Sequence, residues 1–252
     1  MSKLTFIVQA RSGSSRLPRK ILLPFYKEKT LLDLLIRKLK SFESANIVIA
    51  TSTNPDDDEI VQIANKHNVV YFRGLEEDVL KRFIEAAHYV EAKRIIRICS
   101  DNPFLDMNAI YELIDVVNLS FENLDYVSFW VNGSPSIKTH YGFWTEYVSL
   151  SALEKVARQT NAPIYHEHVT NFIYNHPEQF KIKWIKGPDA LLCHTNIRLT
   201  IDTSVDFYNA QQIYLELIEK TQYPTIENVV KYLDDHQYIY TSMETEILRN
   251  SK

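Results

Sequence analysis

Residues 4–20 read LTFIVQARSGSSRLPRK, and the fold turns on how they are interpreted. Residues 4–8 form a short, nearly uninterrupted apolar run, which predicts a strand buried on both faces. The next twelve residues change character abruptly, with Arg11, Arg16, Arg19 and Lys20 set among Ser12, Gly13, Ser14 and Ser15. The cations carry fixed positive charge, the serines and the glycine offer hydroxyl and backbone N–H donors, and Pro18 helps to hold the shape. A loop of this kind directly after a first core strand suits an anion with many oxygens, and we expect it to wrap a triphosphate. A solvated basic loop is the bland alternative, and the position argues against it. Gly13 stands alone, so neither GxxxxGK[ST] nor GxGxxG is present. That argues against a Walker-type NTPase and against a dinucleotide cleft.

Outward from this stretch, short apolar runs alternate with helical patterns. Strands are expected at 46–51, 69–72, 94–99 and 125–130, and helices at 31–41, 53–67, 77–92 and 106–119. Strands apolar on both faces that alternate with helices predict an α/β fold, a mostly parallel open sheet flanked by helices. The regularity fades after residue 130. A turn is expected at 132–136, strands at 142–150, 180–185 and 196–201, and helices at 165–174, 205–219 and 225–233. No repeat, low-complexity tract or linker is evident, so the 252 residues are read as one domain with an inserted subregion at about 131–165.

Composition narrows the function classes. A net charge of −4 gives no general attraction to nucleic acid, so any anion site must be local. No apolar run approaches the roughly 18 residues of a membrane span and no signal-peptide core is seen, so a cytoplasmic protein without membrane partners is expected. Cys99 and Cys193 both sit in apolar contexts and are expected to be reduced core thiols.

In open α/β sheets, ligands bind beyond the carboxyl ends of the strands, which directs attention to the residues just after each one. Two are acids, Asp101 in RICSDNPFLD and Asp202 in RLTIDTSVDF. Two carboxylates facing a cation-rich loop suit a Mg²⁺ ion that also holds phosphate oxygens. The alternatives are a helix N-cap for Asp202 and pairing with Arg97 or Arg94 for Asp101. The run Asp56, Asp57, Asp58 resembles a glycosyltransferase DxD, but after Asn54-Pro55 it reads better as the acidic first turn of a helix. His166-Glu167-His168 does not match HExxH, because its second histidine falls at i+2. A sugar hydroxyl contact or helix-start polarity suits His166 and Glu167 better than zinc.

The stretch QARSGSSRLPRKILLP (9–24) resembles the opening motif of the SpsF-like cytidylyltransferases, relatives of the enzymes that activate sialic acid and Kdo with CTP. The resemblance continues through FRGLEEDVLKRFIEAA (72–87), RICSDNPFLD (97–106), HEHVTNFIY (166–174) and RLTIDTSVDF (198–207), in order and over most of the chain. It implies a Rossmann-like, GT-A-type nucleotidyltransferase that moves a nucleotidyl group from CTP to a sugar acceptor, with release of pyrophosphate. It further implies that Arg11, Ser12, Gly13, Ser14, Arg16 and Lys20 hold the phosphates, with Lys20 and Arg16 stabilising the leaving pyrophosphate. By the same resemblance Arg73 and Asp78 lie near base or sugar, and Asp101 and Asp202 hold Mg²⁺. His140, Tyr141 and Trp144 would belong to the sugar pocket, and the middle region to a homodimer contact. The family carries glycine where this chain has Arg19. A GTP-dependent sugar-1-phosphate enzyme, a GT-A glycosyltransferase and a non-catalytic sensor are the rival readings.

Overall fold

The computed structural model describes residues 3–250. Among the described residues the strands are β1 (Leu4–Gln9), β2 (Pro24–Tyr26), β3 (Lys29–Thr30), β4 (Asn46–Ser52), β5 (Val70–Gly74), β6 (Arg94–Cys99), β7 (Tyr126–Val131), β8 (Ser134–Pro135), β9 (Glu146–Ser149) and β10 (Ile182–Lys186). The helices are α1 (Leu31–Leu39), α2 (Asp58–Lys66), α3 (Val79–Tyr89), α4 (Met107–Leu119), α5 (Leu150–Gln159), α6 (Pro163–Glu167), α7 (Asn171–Asn175), α8 (Ser204–Ile218), α9 (Ile226–Asp235) and α10 (Gln237–Arg249).

The main sheet runs β10-β7-β9-β6-β1-β4-β5, with β8 paired to β7 at the side. β1 pairs in parallel with both β4 and β6, and β4 in parallel with β5. Only β9, antiparallel to β6 and β7, and the short β8 break the parallel pattern. The mostly parallel sheet expected from sequence is therefore present. Each central strand divides its side chains between two buried layers: Phe6 and Val8 pack on one face, Ile7 on the other. α1, α2, α4, α8, α9 and α10 contribute to the first layer, and α3, α5 and α7 to the second.

Several expectations need correction. Residues 196–201 form no strand. Ile197, Leu199 and Ile201 are buried, and Arg198 between them is buried as well, but the backbone bonds to loops: Leu199 N–H donates to His140 O at 2.8 Å and Ile201 N–H to Asp101 O at 3.1 Å. Residues 142–150 are a strand only at Glu146–Ser149, and Leu150 already opens α5, capped by Ser149. The helix expected at 165–174 is two short helices broken at His168, whose φ of −102° and ψ of 81° are not helical. The final helix α10 was not foreseen; its polar and apolar residues are too mixed to show a clear stripe. Cys99 is half-buried and Cys193 exposed, and among the described residues no disulfide is formed; Cys193 is no core thiol, because it lies on a turn that carries it to the surface. Among the described residues no helix is long and apolar enough to cross a membrane.

Candidate active site

The carboxyl ends of β1 and β6 open into a cleft of about 850 Å³. Its lining includes Arg11, Gly13, Ser14, Arg16 and Lys20 from the first loop, Asp101 from the loop after β6, and Asp202 just before α8. Three chain segments far apart in sequence thus meet at one place.

Lys20 is their meeting point. Its ammonium lies 2.8 Å from an Asp101 oxygen and 3.2 Å from an Asp202 oxygen, and also donates to Ile201 O at 2.5 Å. Burial alone would lower the Lys20 pKa, but the two carboxylate charges, Asp101 first, outweigh it and hold it raised. Arg16 adds a second cation, with Nη2 3.2 Å from the same Asp202 oxygen and Nη1 2.9 Å from the Asn250 side chain just past α10.

Asp202 is aimed from behind. Arg198, fully buried, places Nη2 3.2 Å from Asp202 Oδ2 and closes on Asp206 through Nε at 2.7 Å and Nη2 at 2.9 Å. Its Nη1 meets His140 Nδ1 at 2.7 Å. A guanidinium only donates, so this ring nitrogen accepts and the neutral imidazole proton belongs on Nε2. Asp202 also stands next to a helix start, but the N-cap is Thr203, whose hydroxyl accepts from Asp206 N–H in a capping box. The cap role considered for Asp202 is taken by its neighbour, and Asp202 keeps one oxygen turned to the cations.

The remaining expected residues are placed elsewhere. Ser12 does not line the cleft; its N–H and Oγ donate to Asp57 Oδ1 at 2.7 and 2.6 Å. Arg73 spends its guanidinium on Ser52 O, Asn54 O and Asp58, so it straps the loop after β4 rather than facing the cleft. Asp78 caps α3 by accepting from Lys81 N–H at 2.9 Å and sits 2.8 Å from His166 Nδ1. His166 Nε2 lies 3.0 Å from Thr160 O. Both ring nitrogens face acceptors, which raises the His166 pKa against the opposing effect of burial. Tyr141 is buried, its hydroxyl 2.7 Å from the Asn132 amide, whereas Trp144 and Glu167 do line the cleft.

Arg19 has φ 59° and ψ 21°, the left-handed region in which glycine is favoured, consistent with the glycine expected there from the resemblance. Its guanidinium pairs with Glu59 on α2, and it is absent from the cleft lining. At Gly13 a Cβ would stand 3.1 Å from Glu76 Oε1, a tight approach that the glutamate tip would have to ease.

Reading by sequence missed three buried pairings. Asp57 anchors the first loop. Arg97 and Glu146 form an ion pair at 2.7 Å beneath the cleft, with Tyr126 and Thr170 also donating to Glu146. Arg198 and Asp206 form the third. The partners of the first two are 45 and 49 residues apart, whereas Arg198 and Asp206 share the segment 198–207; only a charged residue inside an apolar segment, such as Arg97 in β6 or Arg198, hinted that a mate was required.

The two carboxylates can be tested as a metal site. Among the described residues no group of three or more His, Cys, Asp or Glu gathers as a ready-made cage. Asp101 and Asp202 do, however, converge on a single cation, the Lys20 ammonium, which marks a position between them where positive charge is favoured. Mg²⁺ commonly takes one or two carboxylates and completes its shell with water and substrate oxygens, so the donor set fits.

A mostly parallel sheet with a cation loop and paired acids at its carboxyl end is the arrangement of a nucleotidyltransferase. The chain matches the cytidylyltransferase family model over residues 5–248 and belongs to that family. It is 34% identical over 227 residues to the spore coat polysaccharide biosynthesis protein SpsF of Bacillus subtilis, covering 87% of this chain and 90% of that one. In three dimensions it is similar to a cytidylyltransferase from Leptospira borgpetersenii, with a TM-score of 0.82, 24% identity and coverage of 95% and 97%. It is also similar to a CMP-2-keto-3-deoxy-manno-octonic acid synthetase complexed with CTP, with a TM-score of 0.66, 15% identity and coverage of 86% and 100%. These two structural likenesses carry the fold.

Proposed function

We propose that the protein transfers a cytidylyl group from CTP to an acidic sugar of the nonulosonic type, with Mg²⁺ as cofactor, for surface polysaccharide synthesis. The observation that carries the reading is the convergence of Lys20 on Asp101 and Asp202 at the mouth of the first loop. The name of the Bacillus relative supports the pathway class, and the CTP complex of the structural neighbour supports the donor.

In the reaction a sugar hydroxyl oxygen attacks the α-phosphorus of CTP. The new P–O bond forms as the bond to the β-phosphate bridging oxygen breaks, pyrophosphate leaves with the bonding pair, and the hydroxyl proton passes to solvent. Positioning and charge neutralisation supply most of the acceleration in transfers of this kind. Arg11 and the amides around Gly13 and Ser14 would hold the phosphate chain. Arg16 and Lys20 would neutralise the departing pyrophosphate, which requires Lys20 to turn from the aspartates toward the phosphates. Asp101 and Asp202 would hold Mg²⁺, which when bound adds positive charge beside the phosphate oxygens.

The rest of the cleft lining suits the acceptor. Ser136, Thr139 and Asn171 offer hydrogen-bonding groups, Trp144 and Tyr174 offer ring faces, and Lys138 offers a cation. Its ammonium stands 5.2 Å from the centre of the Tyr174 ring. A cation beside aromatic and hydroxyl groups fits a sugar that carries a carboxylate. With CTP as donor the expected place of work is the cytoplasm, and a homodimer joined through the 131–165 region is the proposed assembly.

Thermal-shift titration of each of the four nucleoside triphosphates, with and without Mg²⁺, tests the donor. The reading expects the largest Mg²⁺-dependent rise with CTP. An equal or larger rise with GTP would move the protein to a different nucleotide class.

A further inference from the structure

The first loop carries the phosphate-binding cations, yet it has no strand or helix of its own between β1 and the short helical turn at Lys20–Leu22. Something must hold its backbone still, because a donor misplaced by about 1 Å loses much of its value. The restraint comes from Asp57, in the single helical turn that precedes α2.

Asp57 is 1% exposed and both its oxygens are fully engaged. Oδ1 accepts from Ser12 N–H at 2.7 Å and Ser12 Oγ at 2.6 Å. Oδ2 accepts from Thr51 Oγ1 at 3.1 Å, Ser52 N–H at 3.2 Å and Ser52 Oγ at 2.5 Å. One carboxylate therefore ties the loop after β1 to the end of β4. Burial would favour its neutral form, but the bonds from Ser12 and Ser52 outweigh that and keep it ionised. Beside it Glu76 accepts from the Asn54 amide at 3.0 Å, and its other oxygen would stand 3.1 Å from a Cβ on Gly13. Ser12 thus faces backward, which leaves its neighbours Arg11, Gly13 and Ser14 in the cleft lining.

We infer that Asp57 is a positioning residue for the triphosphate, acting through Ser12 to fix the first loop in its phosphate-binding shape. The inference rests on the nucleotidyl-transfer reading and assigns a role to an acid that the sequence alone left as helix-start polarity. Asp57 touches no substrate; its effect is transmitted through the backbone of residues 11–14.

The two serines provide the test. Ser12→Ala and Ser52→Ala each remove one hydroxyl from the same carboxylate, by bonds of nearly equal length, and Ser52→Ala also removes the acceptor of Asn54 N–H at 3.1 Å, so its thermal stability should fall at least as far. Only Ser12→Ala loosens the cation loop. Titration calorimetry with CTP and Mg²⁺ should show binding weakened about tenfold by Ser12→Ala and changed less than twofold by Ser52→Ala, with CMP affinity little altered in both. Asp57→Asn, where it folds, should weaken CTP at least as much, and adding Ser12→Ala to it should produce no further loss. Equal effects of the two serine variants, no effect of either, or additive losses in the double variant would overturn the inference while leaving nucleotidyl transfer standing. Wild-type protein that binds no nucleoside triphosphate would overturn both.

Discussion

The ammonium of Lys20 lies 2.8 Å from a carboxylate oxygen of Asp101, 81 residues away in the chain. This contact joins the first loop to the loop after β6 and places the chief cation of the cleft between its two acids. A lysine so placed is the counter-ion of the aspartate pair, and in the proposed reaction it would turn to an incoming phosphate.

Lys20→Ala should lower turnover by roughly 10²–10³-fold, the scale of losing one preorganised donor. The two acids would then face each other with less compensation, so Mg²⁺ should bind the free protein more readily, not less. Steady-state kinetics together with a Mg²⁺ titration check both halves. Near-normal turnover would remove Lys20 from the chemistry.

Asp202→Asn keeps the shape and removes the charge. Arg198 retains Asp206, and Lys20 retains Asp101, so the fold should survive. Activity and its Mg²⁺ dependence should fall together. Circular dichroism and pyrophosphate release on the same sample decide it: a variant that unfolds would show that Asp202 is structural.

Arg19→Gly should be tolerated. The substitution relieves a left-handed backbone that costs a non-glycine residue about 1–2 kcal/mol, and it loses only an exposed pair with Glu59, worth less than about 1 kcal/mol. CTP affinity should stay within about twofold, because the side chain points to α2. A collapse of binding would show that Arg19 contacts the nucleotide.

His166 makes the anchoring of α6 pH-dependent. Its folded pKa is raised above the ordinary 6.5 by the Thr160 carbonyl and Asp78. The folded state therefore holds the proton more tightly, and the stabilisation is complete below about pH 6.5 and lost as pH rises through the folded value. Melting temperatures of wild type and His166→Gln should differ most on the acid side and converge toward alkaline pH. A difference that grows with pH would contradict the assignment.

How much of this was legible beforehand follows from the range of the interactions involved. β1, β4 and β6 announce themselves by local apolar runs, and the cations after β1 and the acid after β6 follow from chain position. Asp202 was found for a partly mistaken reason. The strand expected before it is an irregular segment whose apolar residues are satisfied by packing, while the N–H groups of Leu199 and Ile201 bond to loop carbonyls. Alternation reports burial, and burial does not require a ladder. The roles of Asp57 and Glu146 were out of reach because Ser12 and Arg97, which define them, come from distant segments; Asp206 lies only eight residues from Arg198, but the turn that brings the two together is not written in the local pattern. The same holds for Arg73 and Asp78: their motif was visible, but not the carbonyls and the histidine that occupy them.

The central claim is that the cations of the first loop and the aspartate pair act together on CTP and an acidic sugar. Pyrophosphate release, measured with Mg²⁺ across CTP and GTP and across a panel of keto-sugar acids and neutral sugar 1-phosphates, tests it most directly. The account predicts release with CTP and a sugar acid, abolished by chelation and by Asp101→Asn. Release confined to GTP with a sugar 1-phosphate, or activity that survives Asp101→Asn, would contradict it.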